Sequence, residues 1–183
     1  VWPLPSGTDW DTVARRAFRS REDVLNQPIA KPVVPKYTLR KLTNTETNEI
    51  RRALKPFYRS IPDAIMTASA GKILNIIEQR VESVRTSNTA SEDDRLDAAF
   101  ELGVAWGEIV MRELGWQWYI LCGESKDETL AIVSIDRSLA VPVLVYFSRL
   151  TKDPQSELNT VLTFRMLEAG KFQAPPGTLH LVG

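Results

Sequence analysis

From Thr43 onward the apolar positions of the chain recur at helical spacing. Ile50, Ala53, Leu54 and Phe57 mark one face of a helix over 44–58. Thr43 and Glu46 form a capping box at its start, each side chain answering the other residue's orphan backbone donor. Ser60 and Asp63 repeat the box, with Pro62 tolerated in a first turn. Ile65, Ile73, Ile76, Ile77, Val81 and Val84 continue as a stripe over 61–85, with an interruption near Gly71. After a polar loop, Ser91 and Asp94 open a third helix over 92–114, which Gly115 closes. At 100° per residue, Leu96, Gly103, Gly107, Val110 and Leu114 fall on one side of it. Asp94, Asp97, Glu101 and Glu108 fall within about 60° of one another on the opposite side.

Past Gly115 the pattern becomes strand-like. Aromatic and β-branched runs predict strands over 116–122, 129–135 and 141–147. Short links join them, which implies an antiparallel meander, and Pro142 suits an edge position. A closing helix over 155–169 would turn Leu158, Val161, Leu162 and either Arg165 or Met166 inward, ending at Gly170. The tail, with Pro175-Pro176-Gly177, reads as irregular. Residues 1–42 are punctuated by Pro3, Pro5, Pro28, Pro32 and Pro35. They form an arm with one short helix, opened by Thr8-Asp9-Trp10-Asp11 and carrying Val13, Ala14, Ala17 and Phe18, before an extended linker over 31–42. The expected fold is α+β: a single domain over 43–183 in which N-terminal helices pack on a small antiparallel three-stranded sheet.

Composition narrows the function classes. With 183 residues, 43% of them apolar, the chain can bury a core without disulfides or metals. The 23 basic residues balance 23 acidic ones, which argues against a dedicated nucleic-acid binder. The balance is uneven along the chain. Residues 1–60 hold 12 Lys and Arg against 6 Asp and Glu, and the remainder reverses the sign. Either the basic part is screened by the acidic part, or a polarised surface steers a charged partner. Cys122 is the only cysteine, so no intrachain disulfide forms. No run of 18 apolar residues occurs, and no membrane association is expected. A cytoplasmic location is expected. Because the chain starts at Val1 rather than Met, a removed signal peptide would make it periplasmic instead.

Chemistry-bearing residues are sparse. His180 is the only histidine, and Cys122 lies in an apolar strand where a buried, inert thiol is expected. No phosphate-loop, dinucleotide, zinc-protease or EF-hand pattern is present. Ala99, Gly103 and Gly107 form a small-residue ladder that lets another backbone, expected to be the sheet, come close. The acidic stripe Asp94, Asp97, Glu101 and Glu108 is a solvated face, a docking surface for a basic partner, or a cation or acid/base site. Trp116 and Trp118 share one strand face, which is core if it packs on the helices and an aromatic binding platform if it does not.

The runs Leu102-Gly103-Val104-Ala105-Trp106-Gly107-Glu108 and Leu114-Gly115-Trp116-Gln117-Trp118, followed by Val141-Pro142-Val143, resemble an uncharacterised bacterial α+β domain family. That family carries an LGxxxGE…LGWxW pattern, and the likeness covers residues 92–170. It implies no enzyme activity, catalytic residue, metal or cofactor. By analogy with other small bacterial proteins it suggests an immunity-type role. On this reading the chain is a protein-binding module that blocks a toxin by covering it, with Asp97, Glu101 and Glu108 meeting a basic cleft. The alternatives are a small-ligand or peptide-binding domain using Trp116 and Trp118, and a carboxylate-based enzyme.

Overall fold

A computed structural model describes residues 37–61, 69–123, 127–153, 159–174 and 178–183. The expected short helix at 8–18, Asp63 of the second capping box, Ile65, Leu158 and residues 175–177 lie outside them. The chain is α+β, as the change of period implied.

Two capping boxes start two helices as read. Thr43 caps α1 (Asn44–Arg59) with Glu46, and Ser91 caps α3 (Glu92–Leu114) with Asp94. α1 carries Pro56 within its last turn, and α3 ends at Gly115, whose φ of 71° is the left-handed conformation that glycine adopts without strain. Between them runs α2 (Ala70–Thr86), buried through Ile73, Leu74, Ile77 and Val81. The helix start read at Ser60 and Asp63 falls at residues 62–68, outside the described residues. Ser60 itself sits at the C-terminus of α1, with its hydroxyl donating to the Phe57 carbonyl.

Among the described residues the sheet has five strands rather than three. β1 (Thr38–Arg40), β2 (Gln117–Cys122), β3 (Glu128–Val133) and β4 (Leu139–Pro142) pair antiparallel in that order. β5 (His180–Leu181) then adds in parallel to β4, with Leu139 beside His180. β1 belongs to what the sequence presented as linker, and β5 to what it presented as irregular tail. Both are too short for a periodic signal, and the pairing edges of β2 and β4 supply their hydrogen bonds.

The predicted strand 141–147 is the clearest correction. The chain leaves the sheet at Pro142 and enters α4 (Val143–Lys152). The run is β-branched and aromatic, but Val143, Tyr146, Phe147 and Leu150 recur at three- and four-residue spacing and are the buried ones. α5 (Thr160–Glu168) follows, capped by the Asn159 side chain. Its inward positions are Thr160, Thr163, Phe164 and Leu167, whereas Leu162 is 56% exposed. Glu78 of α2 accepts from the Thr160 backbone N–H at 2.9 Å and from the Asn159 amide at 3.0 Å. These bonds rotate α5 away from the face that hydrophobicity alone selects.

α3 lies at the centre. From Ala99 to Val110 it is buried at all positions but Phe100, Glu101 and Glu108, which are half-buried, because α1, α2, α4 and the sheet surround it. The side chain of Arg95 donates to the carbonyls of Val84, Ser87 and Thr151, tying the ends of α2 and α4 to α3. The opposite sheet face carries a smaller apolar cluster of Tyr119, Leu121, Ala131, Val133 and Ala140, with Tyr37, Leu39 and Leu179 beside it.

β1 is locked to α1 by charge. Arg40 donates to both carboxylate oxygens of Glu46, at 2.9 and 3.0 Å, and to Glu128 at 2.7 Å. The Arg40 hydrogen bonds first, then those from Thr43, hold the Glu46 carboxyl down at about 2. A folded-state value below the ordinary 4.5 means this junction stabilises the fold above that value and is lost as pH falls toward 2. We expect Glu46→Gln to flatten the loss of thermal stability across that window. An equally steep loss in the variant would place the acid lability elsewhere.

Candidate functional site

The acidic stripe of α3 has the geometry its spacing implied, but only two of its four carboxylates, Asp94 and Asp97, belong to exposed residues. Asp94 is occupied as a cap, accepting from the Ser91 N–H at 2.9 Å and its hydroxyl at 2.6 Å, and these bonds lower its pKa. Glu101 is half-buried against Arg80 of α2 at 3.6 Å. Burial raises its pKa, and Arg80 opposes the rise. Glu108 is half-buried against the sheet, where its Oε1 accepts from the Trp118 indole N–H at 2.9 Å. Asp97 alone is exposed with no hydrogen bond or ion pair among the described residues. Helical arithmetic places residues around an axis; it does not say which sides neighbours will cover.

The tryptophan face turns inward. Trp116 is 7% exposed and Trp118 half-buried, both packed on the helical core. The small-residue ladder admits two different neighbours. A Cβ on Gly103 would lie 3.3 Å from the Val143 carbonyl oxygen and from the Phe147 ring, so α4 fills that gap. One on Gly107 would lie 2.2 Å from the six-membered ring of Trp118, so there the sheet contributes an indole. Cys122 ends half-buried at the margin of β2, with Sγ 3.6 Å from Glu128 Oε1, rather than in the core. The His180 ring lies in edge strand β5.

Trp118 still reaches a concave surface. A cleft of about 410 Å³ opens where α1 crosses α3 and β2, walled by Leu42, Ile50, Leu54, Met111 and Trp118. Glu108 lies in it, and Thr47 and the exposed Arg51 stand on the α1 side. Burial first and the Glu108 charge second raise the pKa of nearby Tyr58, and the charge of Arg112, which donates to Glu113, opposes the rise.

The outer face of α1 was not anticipated. Arg51, Arg52, Lys55 and Arg59 are exposed and fall within a 100° arc. None has an ion-pair partner among the described residues, in contrast to Arg40, Arg80, Arg85 and Arg165. The basic excess of residues 1–60 and the spacing of these four cations were the signals available in the sequence. A second surface is apolar. Leu96 of α3 and Leu144 and Val145 of α4 line an open groove of about 500 Å³ with Ser148, Arg149 and Lys152. Leu96 is 37% and Val145 42% exposed there.

Among the described residues, no group of three His, Cys, Asp or Glu side chains is placed to hold a metal ion. No described helix is long and apolar enough to cross a membrane. These features define an α+β domain built on one central buried helix, with a basic helix face, an apolar groove and a cleft beside α1 at its surface. No family model, curated protein or solved structure matches the chain.

Proposed function

We propose that this chain is a protein-binding module that meets an acidic surface of its partner through α1. The observation that carries the reading is the set of four exposed cations Arg51, Arg52, Lys55 and Arg59 on one helix face, with no ion-pair partner among the described residues. They span nine residues, and each is separated from the next by no more than about 6 Å of helix rise, so the fields of neighbours add within a Debye length of about 8 Å at physiological salt. Such a patch speeds encounter with an opposite charge and rejects a basic partner. It replaces the stripe Asp97, Glu101 and Glu108 as the leading contact surface, because two of those carboxylates are engaged inside the fold. The apolar groove beside Leu96 and Val145 supports the same reading, since exposed apolar patches with polar rims mark interaction surfaces. An immunity-type role, in which the module occludes a toxin, then requires a toxin whose docking surface is acidic. A protein partner is favoured over nucleic acid by the zero net charge of the chain.

The test is affinity capture on the immobilised protein after nuclease treatment, at low and high salt. We expect a retained polypeptide rich in Asp and Glu, lost at high salt and on Arg51→Glu/Lys55→Glu/Arg59→Glu, but kept by Asp97→Lys. Association with that polypeptide, once purified, should be at least about tenfold slower for the triple variant. Capture unchanged by the triple variant, or abolished by nuclease, would sink the reading.

A further inference from the structure

The cleft beside α1 owes its existence to the two sequence runs singled out at the start. Gly107 has no side chain, so the Trp118 ring lies down against the α3 backbone and leaves the space beneath α1 open. Glu108, the next residue, turns its carboxylate into that space, and the Trp118 indole fixes one of its oxygens at 2.9 Å. The second oxygen, Oε2, has no hydrogen-bond partner among the described residues, and no Lys or Arg there lies within ion-pair distance of it. The remaining walls are the aliphatic or thioether side chains of Leu42, Ile50, Leu54 and Met111, with Thr47 and Arg51 on the α1 side. The volume of about 410 Å³ falls within the roughly 300–1,000 Å³ of small-molecule sites. Arg51 makes no ion pair with Glu108, so a cavity whose other walls are mostly apolar keeps one oriented, half-used carboxylate that selects for a complementary charged donor on an apolar body.

We propose that this cleft binds a small apolar molecule carrying a protonated amine, with the ammonium donating to Oε2 of Glu108 and the apolar part lying against Leu54, Met111 and Trp118. This ligand site borders the basic face of α1 and shares Arg51 with it, but its carboxylate and apolar walls are other residues, and it stands or falls without the protein-binding reading. The Gly107-Glu108 pair and Trp118 then serve recognition as well as packing: glycine makes the room, the indole aims the carboxylate, and the carboxylate reads the amine.

The experiment is titration of the ¹⁵N-labelled protein with benzylamine and, separately, toluene, followed by two-dimensional NMR. The Trp118 indole resonance would be assigned through Trp118→Phe. Benzylamine should move the Trp118 indole N–H and the Met111 signals, and should bind about tenfold or more tighter than toluene. Glu108→Gln should erase that preference, leaving the two probes within a factor of about two. Leu54→Trp, which fills the cleft from its half-exposed α1 wall without touching the Glu108–Trp118 bond, should abolish both titrations while preserving the rest of the spectrum. Equal affinity for the two probes in the wild type, benzylamine binding unaffected by Leu54→Trp, or shifts confined to residues elsewhere would each overturn the proposal.

Discussion

Alanine at Trp106 is expected to cost about 3–5 kcal/mol of folding stability, the range for removing a large aromatic from a packed core. Trp106 is completely buried at the middle of α3. Its ring centroid lies 5.9 Å from that of Tyr146 and 6.1 Å from that of Phe147, so one side chain links the central helix to α4. Its indole N–H donates to the carbonyl of Thr160 at 3.1 Å, which joins the start of α5 to the same point. Ordinary domains hold only about 5–15 kcal/mol in reserve, so the variant should be near the edge of folding at 37 °C. Trp106→Phe separates the two contributions. It keeps most of the ring contact and removes the donor, and should cost about 1–3 kcal/mol. Urea denaturation of both variants checks this. A cost below about 1 kcal/mol for the alanine variant would mean that the core is not centred on Trp106.

The second large effect concerns Gly107, where two opposite tendencies compete. Glycine to alanine inside a helix ordinarily stabilises by about 1 kcal/mol, because glycine has more backbone freedom to lose. Here the new methyl would fall 2.2 and 2.5 Å from Cη2 and Cζ2 of Trp118, closer than real atoms approach. The ring must move, and moving it breaks the 2.9 Å bond to Glu108. Overpacking of this kind costs about 1–3 kcal/mol, so the clash should win and Gly107→Ala should be destabilising. The same substitution made in a Trp118→Ala background meets no ring. There it should be neutral or stabilising by up to about 1 kcal/mol. A double-mutant cycle by thermal or urea denaturation reads the change of sign directly. Additive effects would show that Trp118 does not rest on Gly107.

Both predictions fall on the stretch where the sequence is most informative and also most easily misread. The 3.6-residue period of Ala99, Gly103 and Gly107 marks a close approach, and the structure has one at both glycines. It could not say that a helix meets Gly103 and an indole meets Gly107. The four carboxylates of α3 were likewise legible as a cluster and illegible as a surface, since whether Glu101 and Glu108 see water depends on α2 and β2. The basic face of α1 was present in the string as Arg51, Arg52, Lys55 and Arg59. It gained meaning only when Glu46 proved to be engaged with Arg40 and Glu108 with Trp118.

What the sequence determined by itself is what short-range physics controls. The boxes Thr43–Glu46 and Ser91–Asp94 and the glycine stop at 115 fix where α1 and α3 begin or end, because capping is settled within four residues. The change from helical to alternating pattern after Gly115 fixes the α+β class. The tertiary structure decided what depends on distant partners. β1 and β5 exist because β2 and β4 have free edges, and α5 is rotated because Glu78 holds its first turn. The run from Val143 is a helix because Tyr146, Phe147 and Leu150 bury one side of it in the core around α3, a preference that β-branched and aromatic composition conceals until that core exists.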